Sequence, residues 1–243
     1  AGLPPVVTRI TNVTATGFDL RIDRADELTD PVSIDVSIVA VDEGVYTQAA
    51  DGVTMEAVKY TSTITAYGAK NWTAESRSYQ NSYTTPVVIG QVMSSNDANW
   101  STFWSMGATR QDAVDAANLN VGKHVGQDKN KTRADEVVGY IVIEAGNGTV
   151  NGVAYEAGLG AATVQCFGDS ATPYSYSLSG SLATVSTAAV SQSGMNGNDG
   201  AWAVLSGIPH VTTTSLNLHV AEDEFKDSRQ RHSAERVAYI VFE

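Results

Sequence analysis

Glu136-Val-Val-Gly-Tyr140-Ile-Val-Ile-Glu144 returns at the end of the chain as Glu235-Arg-Val-Ala-Tyr239-Ile-Val-Phe-Glu243. Matching motifs precede both copies in the same order: Asn96-Asp97-Ala-Asn-Trp100 beside Asn198-Asp199-Gly-Ala-Trp202, then His124-Val-Gly-Gln-Asp128 beside His219-Val-Ala-Glu-Asp223. A weaker copy opens the chain, with Phe18-Asp-Leu-Arg-Ile22 in place of Leu119-Asn-Val and Ile34-Asp-Val-Ser-Ile38 in place of the Tyr-Ile-Val unit. Internal repetition constrains the fold more than any composition does, because each unit must bury its apolar face against a neighbouring copy. Three repeats are expected, at 1–80 (divergent), 81–182 and 183–243, each marginal in stability alone. Gly152-Val-Ala-Tyr-Glu156 also echoes Gly52-Val-Thr-Met-Glu56, so the repeated unit extends beyond its most visible motif.

The unit is built from strands. Val32, Ile34, Val36 and Ile38 alternate with polar residues, which predicts a strand with those four on a core face. Phe18, Leu20 and Ile22 alternate against Asp19 and Arg21 in the same way. Further strands are predicted at 6–10, 53–60, 61–66, 87–92, 100–104, 187–191, 201–205 and 216–220, with Asn147-Gly148, Asn151-Gly152 and Asn196-Gly197 as hairpin turns. Only 110–117 favours a helix, and it is short. The class is all-β, in about sixteen to twenty short strands. The uneven spacing of the repeats favours tandem antiparallel β-sandwich repeats over a propeller.

A net charge of −12 and a sequence pI near 4.6 argue against a phosphate backbone or an anionic membrane surface as partner. Cys166 is the lone cysteine, so it is expected to be a buried thiol. No stretch reaches the roughly 18 apolar residues that cross a bilayer, so no membrane insertion is expected. Residues 1–5 lack the regions of a signal peptide, so a soluble mature or excised fragment is expected. Acidity, low charge density and richness in Ser, Thr, Asn and Gly suggest an extracellular or cell-surface location.

Pro5-Val-Val-Thr-Arg-Ile-Thr-Asn-Val-Thr-Ala-Thr-Gly17-Phe18-Asp-Leu-Arg-Ile22, followed by Val36-Ser-Ile-Val-Ala40, resembles the H-type lectin domain. That family has an apolar strand, a Val-Thr-x-x-Gly-Phe-x-Leu strand and a closing Val-x-Trp-Ile-Ala strand. The resemblance covers about 40 residues well. It implies a six-stranded antiparallel sandwich that trimerises and binds N-acetylgalactosamine-type sugars between protomers. The closing Trp is replaced here by Ser37, Tyr140 and Tyr239. The later repeats are also similar to carbohydrate-binding accessory modules of polysaccharide-degrading enzymes from marine bacteria.

No catalytic constellation is legible. Glycoside hydrolysis needs two carboxyl groups facing each other across a cleft, whereas Asp42-Glu43 and Asp223-Glu224 are strand neighbours that point apart. No nucleophile elbow, P-loop or zinc-protease helix is present, so the expectation is a protein that is not an enzyme. His124 and His219, each four residues before an Asp, read as hydrogen-bonding groups rather than as metal ligands. No cofactor is expected. The oxygen-rich loops around Asp97, Asp199 and Asp223 leave Ca2+ open, although Asx turns explain them as well.

A sugar site needs an aromatic face with planar polar groups beside it. Asn96, Asp97 and Trp100, and again Asn198, Asp199 and Trp202, supply these together, with Trp100 and Trp202 also suited to the core. Trp104 has no aromatic counterpart in the last repeat and is expected to be an exposed ring, with Trp72 a further candidate. The cationic loops at 123–133 and 226–236 suggest recognition of carboxylated or sulfated glycans, with Arg133, Arg229 and Arg231 as bidentate donors. The expectation is therefore non-catalytic binding of glycans or polysaccharide by a secreted or surface-displayed bacterial protein, compatible with a homo-oligomer. The alternative is a structural or adhesive filament or tail subunit that self-assembles.

Overall fold

The computed structural model describes residues 4–26, 28–68, 71–226 and 230–243. An N-terminal hairpin, β1 (Val6–Thr14) with β2 (Gly17–Arg24), precedes two long repeats. The first holds β3 (Gly44–Tyr46), α1 (Gln48–Asp51), β4 (Met55–Ser62), β5 (Thr65–Ala66), β6 (Glu75–Arg77), β7 (Pro86–Val92), β8 (Thr102–Met106), β9 (Leu119–His124) and β10 (Glu136–Glu144). The second holds β11 (Gly146–Val150), β12 (Val153–Leu159), β13 (Tyr174–Ser177), β14 (Thr187–Gln192), β15 (Trp202–Leu205), β16 (Ser215–Ala221) and β17 (Val237–Phe242).

The two repeats have one topology. β3-β4-β10-β7 forms a sheet in the first, and β11-β12-β17-β14 forms its counterpart in the second. β9 is flanked by β6 and β8, as β16 is by β13 and β15, and the short β5 adds a parallel pairing to β9. The boundaries expected at 80/81 and 182/183 fall between strands that pair: β4 lies along β10, and β12 along β17. The repetition in the topology is thus twofold, 44–144 and 146–243, with the hairpin outside it.

The class is all-β, and besides the two-stranded hairpin four small, mainly antiparallel sheets lie in a four-bladed, propeller-like arrangement. The uneven sequence period has a simple origin, since each repeat of about 100 residues supplies two sheets rather than one. The apolar layers lie between them. Val88, Val138 and Val142 meet Phe103, Leu119 and Val121 within the first repeat. Val237, Tyr239 and Val241 meet Leu216, Leu218 and Tyr176 within the second. Met55, Val87 and Ile89 meet Tyr155, Ala157 and Ile240 between the two. The central strands β10 and β17 are therefore buried on both faces, which explains their continuous apolar runs.

Local chemistry sets several details. Asn151 and Gly152 both take positive φ, 51° and 81°, giving the tight two-residue turn between β11 and β12. Asn147-Gly148, expected as a turn, instead lies inside β11. Gly90 faces Phe103 so closely that a Cβ there would lie 2.3 Å from the ring. The expected helix at 110–117 is a turn, and the four-residue helix forms at Gln48–Asp51, capped by the Thr47 side chain accepting from the Ala50 amide at 3.3 Å. Residues 32–41, expected as a strand with Val32, Ile34, Val36 and Ile38 in the core, have no ladder partner among the described residues, and Val36 and Ile38 are exposed. Alternation specifies a face, but a strand also needs a neighbour with free backbone groups.

All four tryptophans are buried, which corrects the expectation that Trp104 and Trp72 are exposed rings. Phe103 packs inside the first repeat while Trp104, on the opposite face of β8, packs with Trp72, Ala66 and Met195 of the second repeat. The two rings alternate as expected, but both faces of β8 are covered. Trp104→Ala should therefore destabilise the protein by roughly 3–5 kcal/mol, as truncation of a buried Trp does; denaturant unfolding with an unchanged m-value checks this.

Candidate functional site

The polar framework begins with three pairs of glutamates at equivalent positions in, or just beyond the ends of, the strands. Glu56 accepts from the backbone N–H of Gln80 and Asn81, and Glu156 from Ser179 N–H and Oγ–H. Glu144 accepts from the N–H of Thr84 and Thr85, and Glu243 from that of Ala183. Glu136 accepts from Asn96 N–H at 3.1 Å and Asp97 N–H at 2.8 Å; Glu235 accepts from Asn196 N–H at 2.8 Å and Gly197 N–H at 2.7 Å. The amide groups of Asn96 and Asn196 also donate to the carbonyls of Asp135 and Ala234, both at 2.7 Å. The loop equivalent to Asn96-Asp97 is therefore Asn196-Gly197, not Asn198-Asp199. Two extra residues before Trp202 bring in Asp199, which has no counterpart in the first repeat.

The last of these pairs, Glu136 and Glu235, is buried and also meets cations. Glu136 takes Arg9 Nη1 at 3.3 Å, and Arg9 Nε donates to Asp23 at 2.7 Å, fixing the hairpin to the first repeat. Glu235 takes His232 Nε2 at 2.8 Å. His232 stands three residues before Glu235, where Arg133 stands before Glu136. Arg133 is buried and donates to Asp128 at 2.5 Å and to the carbonyl of Trp100 at 2.9 Å. His232 Nδ1 lies 3.0 Å from Asp199 Oδ1 and 3.2 Å from Glu222 Oε2. Burial lowers the affinity of His232 for a proton, but Asp199, Glu222 and Glu235 outweigh it and hold the imidazole up to about 11.

Among the sugar-site candidates, Trp100 and Trp202 pack on each other in the core, ring centroids 5.6 Å apart. Asp97 holds its own loop, accepting from the N–H of Asn99 and of Ala134 at 2.9 Å, as an Asx turn does. Asp223 likewise accepts from Phe225 N–H at 3.1 Å and Gln127 N–H, and burial pushes its carboxyl up to about 6. Arg133 is committed internally and offers no bidentate face to a ligand. Asn96, Asn198 and Arg231 are exposed and Asp199 half-exposed. Arg229 lies outside the described residues. His219 bonds Ser206 Oγ at 2.8 Å and the Ser170 carbonyl at 2.9 Å, and His124 Nδ1 accepts from Gly126 N–H at 3.2 Å. Neither bonds the Asp four residues on.

The fold does join the two cationic loops. Gly68, Gln127, Asp128, Lys129 and Lys131 meet Phe225 and Lys226 around an open cavity of about 340 Å³. Backbone ties place these segments: Gly68 N–H donates to the Gly126 carbonyl at 2.6 Å, and Gln127 N–H reaches Asp223 of the other repeat. A Cβ on Gly68 would sit 3.0 Å from the Asp199 carbonyl, so the cavity adjoins the backbone of the His232 cluster. Lys131 also lies over the Tyr67 ring, 4.4 Å from its centroid. The sequence flagged both basic loops; nothing in it showed that they share one hollow.

Glu136→Gln should destabilise the protein by roughly 1–3 kcal/mol, because it weakens the charge-assisted bonds to the loop amides and to Arg9 while Asp23 still pairs with Arg9; chemical denaturation measures this. His124 is fully buried, and burial holds its pKa down to about 3. Below the ordinary pKa near 6.5 the unfolded chain binds a proton that the folded chain does not, so stability falls as pH falls from about 6.5 towards 3. Asp223 opposes this between about 4 and 6, since its raised pKa makes the folded state the better proton binder there. His124→Asn should flatten the acid limb relative to wild type by up to about 1.4 kcal/mol per pH unit, read from denaturation midpoints at pH 6.5 and 4.5. No family model, no curated protein and no solved structure matches this chain.

Proposed function

We propose that the chain is a non-catalytic carbohydrate-binding protein of the bacterial exterior, and that its ligand is an anionic polysaccharide carrying sulfate or carboxylate groups. The observation that carries this reading is the meeting of the 127–131 and 225–226 loops, far apart in sequence, around one cavity. Lys129, Lys131 and Lys226 are exposed at its rim and half-buried Phe225 offers apolar surface. Ammonium groups attract a sulfate or uronate as point charges, and an aromatic surface suits the C–H patch of a sugar ring. A net charge of −12 does not oppose such binding, because the field within a Debye length of a cationic rim is local. The likeness of residues 5–22 and 36–40 to the H-type lectin pattern supports the carbohydrate part of the reading, not the charge of the ligand. The repeated glutamates support a non-catalytic role, since each has at least one carboxylate oxygen engaged by a loop amide.

Affinity electrophoresis or calorimetry with dextran sulfate, alginate and neutral dextran tests the reading. Lys129→Ala combined with Lys226→Ala should weaken binding of a charged polymer at least tenfold, and wild-type binding should fall as salt rises. Neutral dextran bound as tightly as the charged polymers, no binding of either charged polymer, or a double variant indistinguishable from wild type would overturn it.

A second reading has one observation of its own. Residues 32–41 alternate apolar and polar without a ladder partner among the described residues, and Leu20, Ile22, Val36 and Ile38 are exposed nearby in sequence. Such a segment suits pairing with a sheet edge of another copy, as in a self-assembling surface subunit. Concentration-dependent mass in light scattering, lost in Ile38→Lys, would put this reading ahead of a monomeric lectin.

A further inference from the structure

We propose that Asp199, Glu222 and His232 form a divalent-cation site suited to Zn2+, built, among the described residues, in the second repeat alone. Asp199 Oδ1 and Glu222 Oε2 converge on one nitrogen, His232 Nδ1, at 3.0 and 3.2 Å, and the three candidate ligand atoms all lie within 4.8 Å of one another. Ligands bound to one tetrahedral cation at about 2.0–2.2 Å are about 3.3–3.6 Å apart, so the two N···O separations need to open by only a few tenths of an ångström. On the far side of the ring, Nε2 faces Glu235 Oε1 at 2.8 Å. Glu235 also accepts two backbone N–H groups, so it is an acceptor and Nε2 carries the hydrogen. A carboxylate that holds the outer N–H of an imidazole and turns its other nitrogen inward is the usual support of a metal-bound histidine.

Two carboxylate oxygens face Nδ1 and favour positive charge beside it. A second proton on the ring supplies that charge in one state, and a bound cation in place of that proton meets all three ligand atoms at once. The first repeat meets the same need differently: at the matching position Arg133 spreads its N–H groups over Asp128, the Trp100 carbonyl and the Asn130 carbonyl. A guanidinium keeps its proton and does not ligate a metal, so an imidazole in its place, together with the added Asp199, makes the second loop the one able to do so. Asp199 has a side chain 37% exposed while His232 and Glu222 are buried, which gives an ion a way in from solvent. Mixed imidazole and carboxylate donors favour Zn2+ over Ca2+ or Mg2+, which prefer all-oxygen sets.

Calorimetric titration of the EDTA-treated, dialysed full chain with ZnCl2, CaCl2 and MgCl2 at pH 7.5 tests the site. The expected result is one Zn2+ per chain, with Ca2+ and Mg2+ at least a hundredfold weaker. Asp199→Asn, a substitution at a half-exposed position, should weaken Zn2+ at least tenfold while leaving the circular dichroism spectrum unchanged, and His232→Gln should remove binding. Absence of saturable Zn2+ binding would overturn the proposal, as would wild-type affinity in the Asp199→Asn protein, or Ca2+ binding as tight as Zn2+. The titration uses no polysaccharide, so failure of the metal site and failure of the carbohydrate reading are separate results.

Discussion

Loop amides bonded to strand carboxylates organise this protein. Long loops join short strands in a small β-unit, and their backbone N–H groups must be satisfied where they fold over the sheet ends. Glu56, Glu136 and Glu144 do this in the first repeat, and Glu156, Glu235 and Glu243 do it at the same positions in the second. A charged acceptor strengthens each bond, and the acceptor is anchored to a sheet, so every loop is referred to a rigid frame. What the two halves of the chain share is this frame, more than any surface feature.

The frame concentrates negative charge inside the fold, and each repeat neutralises it with different cations. Arg9 comes from the hairpin to Glu136, so the N-terminal hairpin is a working part of the first repeat although it lies outside the repeat topology. Trp202 N–H donates to the Val6 carbonyl at 2.9 Å, which ties the same hairpin to the second repeat. There Glu235 depends on His232, a group whose charge requires a proton or another cation, whereas an arginine is charged at any working pH. Duplicated scaffolds thus carry unequal chemistry at matching positions, and the inequality is greatest in the loops before the last strand.

The aromatic residues follow from the same close packing. Rings suited to a sugar platform fill the spaces between sheets, because four small sheets packed together expose little of either face. At the surface, a hollow edged by lysines forms where segments of both repeats meet. A ligand drawn to it would be held by charge at the rim rather than by a stack of rings.

From the residues alone follow the all-β class, the existence of repeated units, the buried Cys166 and the alternation that sends Phe103 and Trp104 to opposite faces of one strand. Periodicity and turn chemistry are local, and local rules carry that far. It took the packing of distant elements to show that Trp104 faces a second apolar layer instead of water, that Glu56 and Glu156 bond to distant loops, that the repeat is twofold, and that residues 32–41 find no ladder partner among the described residues. The same packing set the correspondence of the loops, since Asn196-Gly197 matches Asn96-Asp97 through bonds to Glu235 and Glu136, while the recurring Asn-Asp letters misled. The reason is common to all of these: which face is covered and which backbone group is paired depend on elements remote in the chain, and no local pattern encodes their arrival.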